Sequence, residues 1–155
     1  MEPFLIGIVV LVFSAILHEV MHGYVADKLG DPTARLAGRL TLNPLPHIDP
    51  IMSIAVPLLL IVSGSPIVFG AARPVPVNPL MLREGRKDLA LVALAGPLTN
   101  LLLALIGALT IKLIGNIAPD FVPILTIVVF YNLALGFLNL IPIPPLDGSK
   151  FFSII

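Results

Sequence analysis

The apolar positions of this chain fall into long unbroken runs, not into alternation or narrow amphipathic stripes. Phe4 to Tyr24 is one run, Asp88 to Ile114 a second and Phe121 to Leu140 a third. Each holds about 20 residues or more, roughly 30 Å as a helix, which matches the hydrocarbon thickness of a bilayer. The pattern predicts three transmembrane helices. Between the first two the pattern changes. Asp27 to Pro50 is polar and carries the turn signals Gly30-Asp31-Pro32, Asn43-Pro44 and Asp49-Pro50. Leu36 to Leu42 within it has the makings of a short strand. Ile51 to Val62 is apolar but too short to cross, and Gly64-Ser65-Pro66 turns the chain into a brief β-branched run, Ile67 to Ala72. About 12 helical residues descend roughly 18 Å and six extended residues climb roughly 20 Å. The two legs match, which predicts a re-entrant helix/β-hairpin.

Charge supports the hairpin. Arg35 and Arg39 precede it, and Arg73, Arg83, Arg86 and Lys87 follow it. A full crossing would set these basic loops on opposite faces, against the positive-inside tendency. After the third run, Pro142, Pro144 and Pro145 cannot continue a helix. They hold the chain extended up to Asp147-Gly148, and Ser149 onward begins a further helix. The expected fold is an all-α polytopic membrane protein with about three transmembrane helices, a re-entrant helix/β-hairpin segment and the start of a further helix. The first helix runs outside to inside, so His18, His22 and Asp147 all come to the cytoplasmic side.

Composition agrees. The chain is 57% hydrophobic and 12% charged, against roughly 25% charged in soluble domains. Net charge is zero and there is no basic tract, which excludes nucleic acid as an expected partner and leaves the lipid bilayer. Cysteine is absent, so any metal must use His and carboxylate. The Met-Glu-Pro-Phe start has no basic segment and no small-residue cleavage site after it, so the first run is expected to stay as a membrane helix.

The candidate chemistry centres on His18-Glu19-Val20-Met21-His22. Helical geometry separates His18 and His22 by about 400°, only about 40° from eclipsed, so one metal ion can join both imidazoles. Zinc is the usual ion, and Glu19 lies where it can take a proton from an attacking water. Polar groups at membrane depth are costly unless paired or beside a wet cavity. Asn100 lies deep in the second span, in Ala95-Gly96-Pro97-Leu98-Thr99-Asn100. It is either interhelical glue or a hydrogen-bonding group for a bound peptide. His47 and Asp49, in the polar loop, either close a turn or approach the metal as gating groups.

His18-Glu19-x-x-His22 in a membrane helix, together with Asn139-x-x-Pro142-x-Pro144-x-x-Asp147-Gly148 after a later one, resembles the site-2 protease family of intramembrane zinc metalloproteases. Ala95-Gly96-Pro97-x-x-Asn100 resembles another motif of that family, and Gly38 to Pro50 resembles its compact bacterial and archaeal branch. The resemblance implies that His18, His22 and Asp147 bind one zinc ion, leaving a fourth position for water, with Glu19 as general base. It further implies that Asn100 and Asn139 bind the substrate backbone and that the substrates are membrane-spanning proteins, cut in or near their spans in a prokaryotic cell membrane. Residues 1–155 are then expected to form a single protease core domain with no PDZ or CBS domain, short of the C-terminal part. The re-entrant strand could pair with an unwound substrate. Two other readings stand beside this one: a pseudoprotease that binds metal or spans without cutting, and a metal-ion transporter. The almost wholly apolar external halves of the spans disfavour transport.

Overall fold

The structure is a computed structural model and describes residues 2–66 and 70–152. Three long helices carry the fold: α1 (Glu2–Lys28), α4 (Arg86–Ile114) and α5 (Val122–Asn139). All three are long and apolar enough to cross a membrane. The short helices α2 (Thr33–Leu36) and α3 (Val56–Val62) lie between α1 and α4, and α6 (Asp147–Phe152) follows α5. No strand occurs among the described residues.

In lipid, apolar side chains gain nothing from leaving water, so such helices associate through close packing and interhelical hydrogen bonds. The buried positions follow that rule. On α1, Gly7, Ser14, His18, His22 and Ala26 recur at helical spacing, and α4 buries Asp88, Val92, Gly96, Asn100, Ala104 and Gly107 in the same way. These faces are mostly small or polar, with Ile16 and Val92 buried among them, while most Leu, Ile and Phe side chains of the helices point outward. A Cβ on Gly107 would meet Val129 at 2.9 Å, and one on Gly136 would meet Leu101 at 2.9 Å. Rising numbers on α4 therefore face falling numbers on α5. The two run antiparallel, and α1 is parallel to α5.

The segment between α1 and α4 leaves one end of the bundle and returns to it. Pro50–Ala55 is a π-helical turn that runs into α3, and the chain reverses at Gly64, whose φ of +70° suits glycine. The return arm lies alongside the start of the excursion. Ala71 N–H donates to Met52 O over 3.1 Å, Ser53 Oγ to Ala71 O over 2.7 Å, and Arg73 N–H to His47 O over 2.8 Å. Farther on, Arg83 N–H donates to Leu29 O over 3.2 Å, so the two basic flanks meet. The hairpin thus leaves and returns at one end of the bundle, as a re-entrant segment would, with a helical first leg.

Its return leg differs from the sequence-based expectation. Of residues 67–72, expected to climb as a strand, 67–69 lie outside the described residues, and 70–72, with the chain on to Asn78, form neither helix nor strand ladder. Pro74, Pro76 and Pro79 remove every second or third donor from the arm, and a ladder needs those donors. Leu36 to Leu42 forms no strand either. Arg39 N–H bonds back to Ala34 O over 2.9 Å and Gly38 takes φ +66°, which wraps this stretch into a turn after α2.

Candidate metal centre

Two imidazoles come from one face of α1. His18 is 5% exposed and His22 7% exposed, deep enough that their ring nitrogens need partners. His22 Nδ1 lies 2.6 Å from Val92 O on α4, and a carbonyl can only accept, so Nδ1 carries the proton. His18 Nδ1 lies 2.5 Å from Asn100 Oδ1 and donates to it likewise. Both rings therefore turn Nε2, with its lone pair, to the same point.

Asp147 reaches that point from the far end of the chain. The proline-rich turn after α5 delivers it to the start of α6, and Gly148 makes the close approach to α5 feasible. A Cβ on Gly148 would meet Leu140 O and, at 2.6 Å, Ile141 O. Asp147 Oδ2 lies 3.0 Å from His18 Nε2 and 3.1 Å from His22 Nε2, and the two Nε2 atoms are 3.1 Å apart. Its other oxygen, Oδ1, accepts from Lys150 Nζ over 3.1 Å.

With both rings neutral, two imidazole lone pairs and a carboxylate oxygen thus converge, and such a trio repels itself unless a proton or a metal cation joins it. Zinc bonds of 2.0–2.1 Å in tetrahedral geometry set ligand atoms about 3.3 Å apart, so the observed separations need open by only a few tenths of an ångström. The donor set fits a zinc ion. Gly96 on α4 leaves the space, since a Cβ there would strike His22 Nε2 and lie 2.6 Å from His18 Nε2.

Glu19 is half-buried and points to the return arm, where its carboxylate accepts from Val75 N–H over 2.7 Å. It lines a cleft of about 370 Å³ together with His22, Asp147, Lys150, Val75 and Val77. The arm is also pinned at Arg73, whose carbonyl accepts from Arg39 Nη2 over 2.6 Å, and at Asn78, whose N–H donates to Asp31 Oδ2 over 2.6 Å. Burial pushes the Asp31 carboxyl up, but hydrogen bonds from the Thr33 side chain and the Asn78 and Thr33 backbones outweigh it, so its pKa falls below the ordinary value.

Of the remaining candidates only Asn100 touches the cluster. Asn100 is fully buried, and its amide is committed to His18 and to Asn132, whose Oδ1 it reaches over 2.8 Å. Asn139 Nδ2 donates to Leu135 O of its own helix over 3.0 Å. His47 bonds Thr41 O through Nε2 over 2.9 Å, and Asp49 caps the re-entrant helix by accepting from Ile51 N–H and Met52 N–H. The structure does not bring His47 or Asp49 to the cluster. Sequence reasoning did not single out Lys150 or Asn132, and it placed Val75 only in the arm expected to pair with substrate, not on Glu19. Asn132 carried a usable signal, because an amide in the middle of so apolar a span needs a partner.

This architecture defines a polytopic helical membrane protein with a buried His-His-carboxylate centre. No family model matches the chain, and no solved structure does. Curated proteins do. The chain is 40% identical over 156 residues to "Putative zinc metalloprotease YwhC" of Bacillus subtilis, covering 96% of this chain and 67% of that protein. It is 38% identical over 136 residues to "Putative zinc metalloprotease Rip2" of Mycobacterium tuberculosis, covering 87% of this chain and 51% of that protein. With the Rip2 of Mycolicibacterium smegmatis it shares 34% identity over 149 residues, 92% of this chain and 56% of that one. The match thus spans two thirds of the Bacillus relative and about half of the mycobacterial ones. The chain belongs to their family, the zinc metalloproteases of site-2 protease type.

Proposed function

We propose that this chain forms the catalytic core of a zinc-dependent intramembrane endopeptidase, which hydrolyses peptide bonds in or near the spans of membrane-anchored proteins. The observation that carries the reading is the convergence of His18, His22 and Asp147 donor atoms, all within 4.8 Å of one another, on a cleft that Glu19 also lines. His18, His22 and Asp147 would hold one zinc ion per chain. Zinc, when bound, supplies a Lewis acid that polarises the scissile carbonyl and makes water acidic enough to attack it. Glu19 takes the proton of the attacking water and hands it to the leaving amine. Val75 N–H orients that carboxylate, and Asn100 and Val92 O hold the imidazoles. Asn100 acts here through His18, not as a contact to substrate.

A helical substrate hides its carbonyls in its own hydrogen bonds, so it must unwind before the cleft can take it. Spans with Gly or Pro near the cut unwind at least cost. The basic flanks favour an orientation with the mouth of the cleft toward the cytoplasmic face, in this reading that of a prokaryotic cell membrane. This chemistry would suit regulated intramembrane proteolysis.

Metal analysis of purified protein tests the reading. Near-stoichiometric zinc is expected in the wild type and in Glu19→Gln, and zinc loss in His22→Ala and Asp147→Ala, with cleavage of a Gly-containing test span absent from all three variants. Zinc-loaded wild type that cuts no membrane-anchored test substrate would point instead to a span-binding pseudoprotease.

A further inference from the structure

A chain of buried amides runs from α5 through α4 to the candidate metal centre. Asn132, 1% exposed, and Asn100, fully buried, are its links. Asn132 Nδ2 donates to Val128 O over 2.9 Å and to Ser14 Oγ over 2.9 Å. A backbone carbonyl accepts only, so the Asn132 nitrogen must face Val128, and both of its hydrogens are used. Its oxygen must then face Asn100. Asn100 Nδ2 donates to that oxygen over 2.8 Å, with a longer reach of 3.4 Å to Ser14 O. This leaves Asn100 Oδ1 for His18, and an amide oxygen there demands N–H at His18 Nδ1. The direction of every bond follows from one fixed end.

We propose that Asn132 is a positioning residue for the metal centre: anchored on Val128 O, it sets the polarity of Asn100 and so holds His18 with Nδ1 protonated and Nε2 free to ligate. The assignment rests on the zinc reading of His18, but the hydrogen-bond relay can be read without metal. Histidine ligands are commonly oriented by a group bonded to the other ring nitrogen, and losing such a group weakens metal affinity about 10- to 100-fold. Here the partner is itself oriented by a second amide on a different helix. His22 supplies the internal comparison, since its Nδ1–H ends on a backbone carbonyl and needs no relay.

The chain has three histidines, so selective ¹⁵N-histidine labelling gives a simple spectrum. The test measures zinc affinity by chelator competition, and exchange of each Nδ1–H with solvent in zinc-loaded and metal-free protein. Asn132→Leu removes the acceptor facing Asn100 and should weaken zinc about tenfold while speeding exchange of the His18 Nδ1–H. Asn132→Asp, whose carboxyl is held protonated at this apolar depth, can donate its O–H to Val128 O and keep an acceptor facing Asn100, and should stay within about twofold of the wild type on both. The His22 Nδ1–H should be unchanged in both variants. Equal behaviour of the Leu and Asp variants, or His22 moving along with His18, would reduce Asn132 to ordinary helix packing and overturn the proposal. If the wild type bound no zinc, the zinc reading would fail, while the exchange difference in metal-free protein would still decide the relay.

Discussion

The backbone N–H of Val75 donates to the carboxylate of Glu19 over 2.7 Å, tying the re-entrant arm to the group proposed as general base. The local sequence makes this bond specific. In Pro74-Val75-Pro76 only Val75 has an N–H to give, and the flanking prolines hold the arm extended so that the donor points one way. A hydrogen bond to a charged group contributes about 1.5–3 kcal/mol. Val75→Pro keeps the extended backbone and deletes the donor, so we expect kcat to fall roughly tenfold, equivalent to about 1.4 kcal/mol, with zinc content unchanged. Val75→Ala, which keeps the N–H, should lose much less. Steady-state cleavage of a test span by both variants checks this, and equal rates would refute it.

Gly96 offers a test in which helix propensity and site chemistry point in opposite directions. Alanine in a helix is favoured over glycine by about 1 kcal/mol, so Gly96→Ala should help α4 in isolation. Its methyl, however, would lie 2.6 Å from His18 Nε2 and closer still to His22 Nε2. We expect at least a hundredfold loss of zinc affinity, with membrane insertion and helix content retained. Zinc titration alongside circular dichroism separates the two effects, and wild-type affinity would show that the imidazoles do not occupy this space.

Much of this was legible in the sequence because lipid imposes simple rules. Apolar runs of this length read as spans, and the paired basic flanks favour a short run that returns to its starting side. The motif residues His18, Glu19, His22 and Asp147 were legible by spacing and resemblance. Interhelical pairings were not. Nothing local to Asn100 says whether its amide meets a substrate or His18, because that depends on how α1 and α4 rotate against each other. Nor does the sequence of Pro74 to Pro79 say that Val75 meets Glu19. The β-branched run Ile67 to Ala72 suggested a strand, but the prolines that follow it leave single donors for single partners.

Asp31 pins the same arm at its other end and makes it sensitive to acid. The buried carboxylate accepts from Asn78 N–H and from Thr33 N–H, and the Thr33 hydroxyl also donates to it. Its folded pKa lies below its ordinary value, so the stabilisation is complete above the unfolded pKa of about 4. It is lost as pH falls through the folded one. Amide exchange of residues 72–80 should therefore stay slow at neutral pH and quicken only below about pH 4. Asp31→Asn replaces one of the two acceptor oxygens by a donor, so Asn78 N–H and Thr33 N–H can no longer both be accepted, and should show faster exchange already at pH 7. Slow exchange in that variant at neutral pH would mean that the arm is held by other contacts.

The re-entrant path can be tested with the chain's own composition, since it contains no cysteine and single cysteines can be introduced on a silent background. Leu36, 76% exposed, and Glu84, with a side chain 64% exposed, lie on the two flanks that meet at Leu29 and Arg83. Ile117, 82% exposed, lies in the turn between α4 and α5 at the opposite end of the bundle. A membrane-impermeant thiol reagent applied to sealed right-side-out vesicles should therefore label a cysteine at 117 and spare those at 36 and 84. Inverted vesicles should give the reverse, because the basic flanks favour the cytoplasmic side. Labelling of 36 and 84 from opposite faces would make Pro50–Val62 part of a true crossing. It would also separate Asp31 from Asn78, a pair that the structure holds within hydrogen-bonding distance.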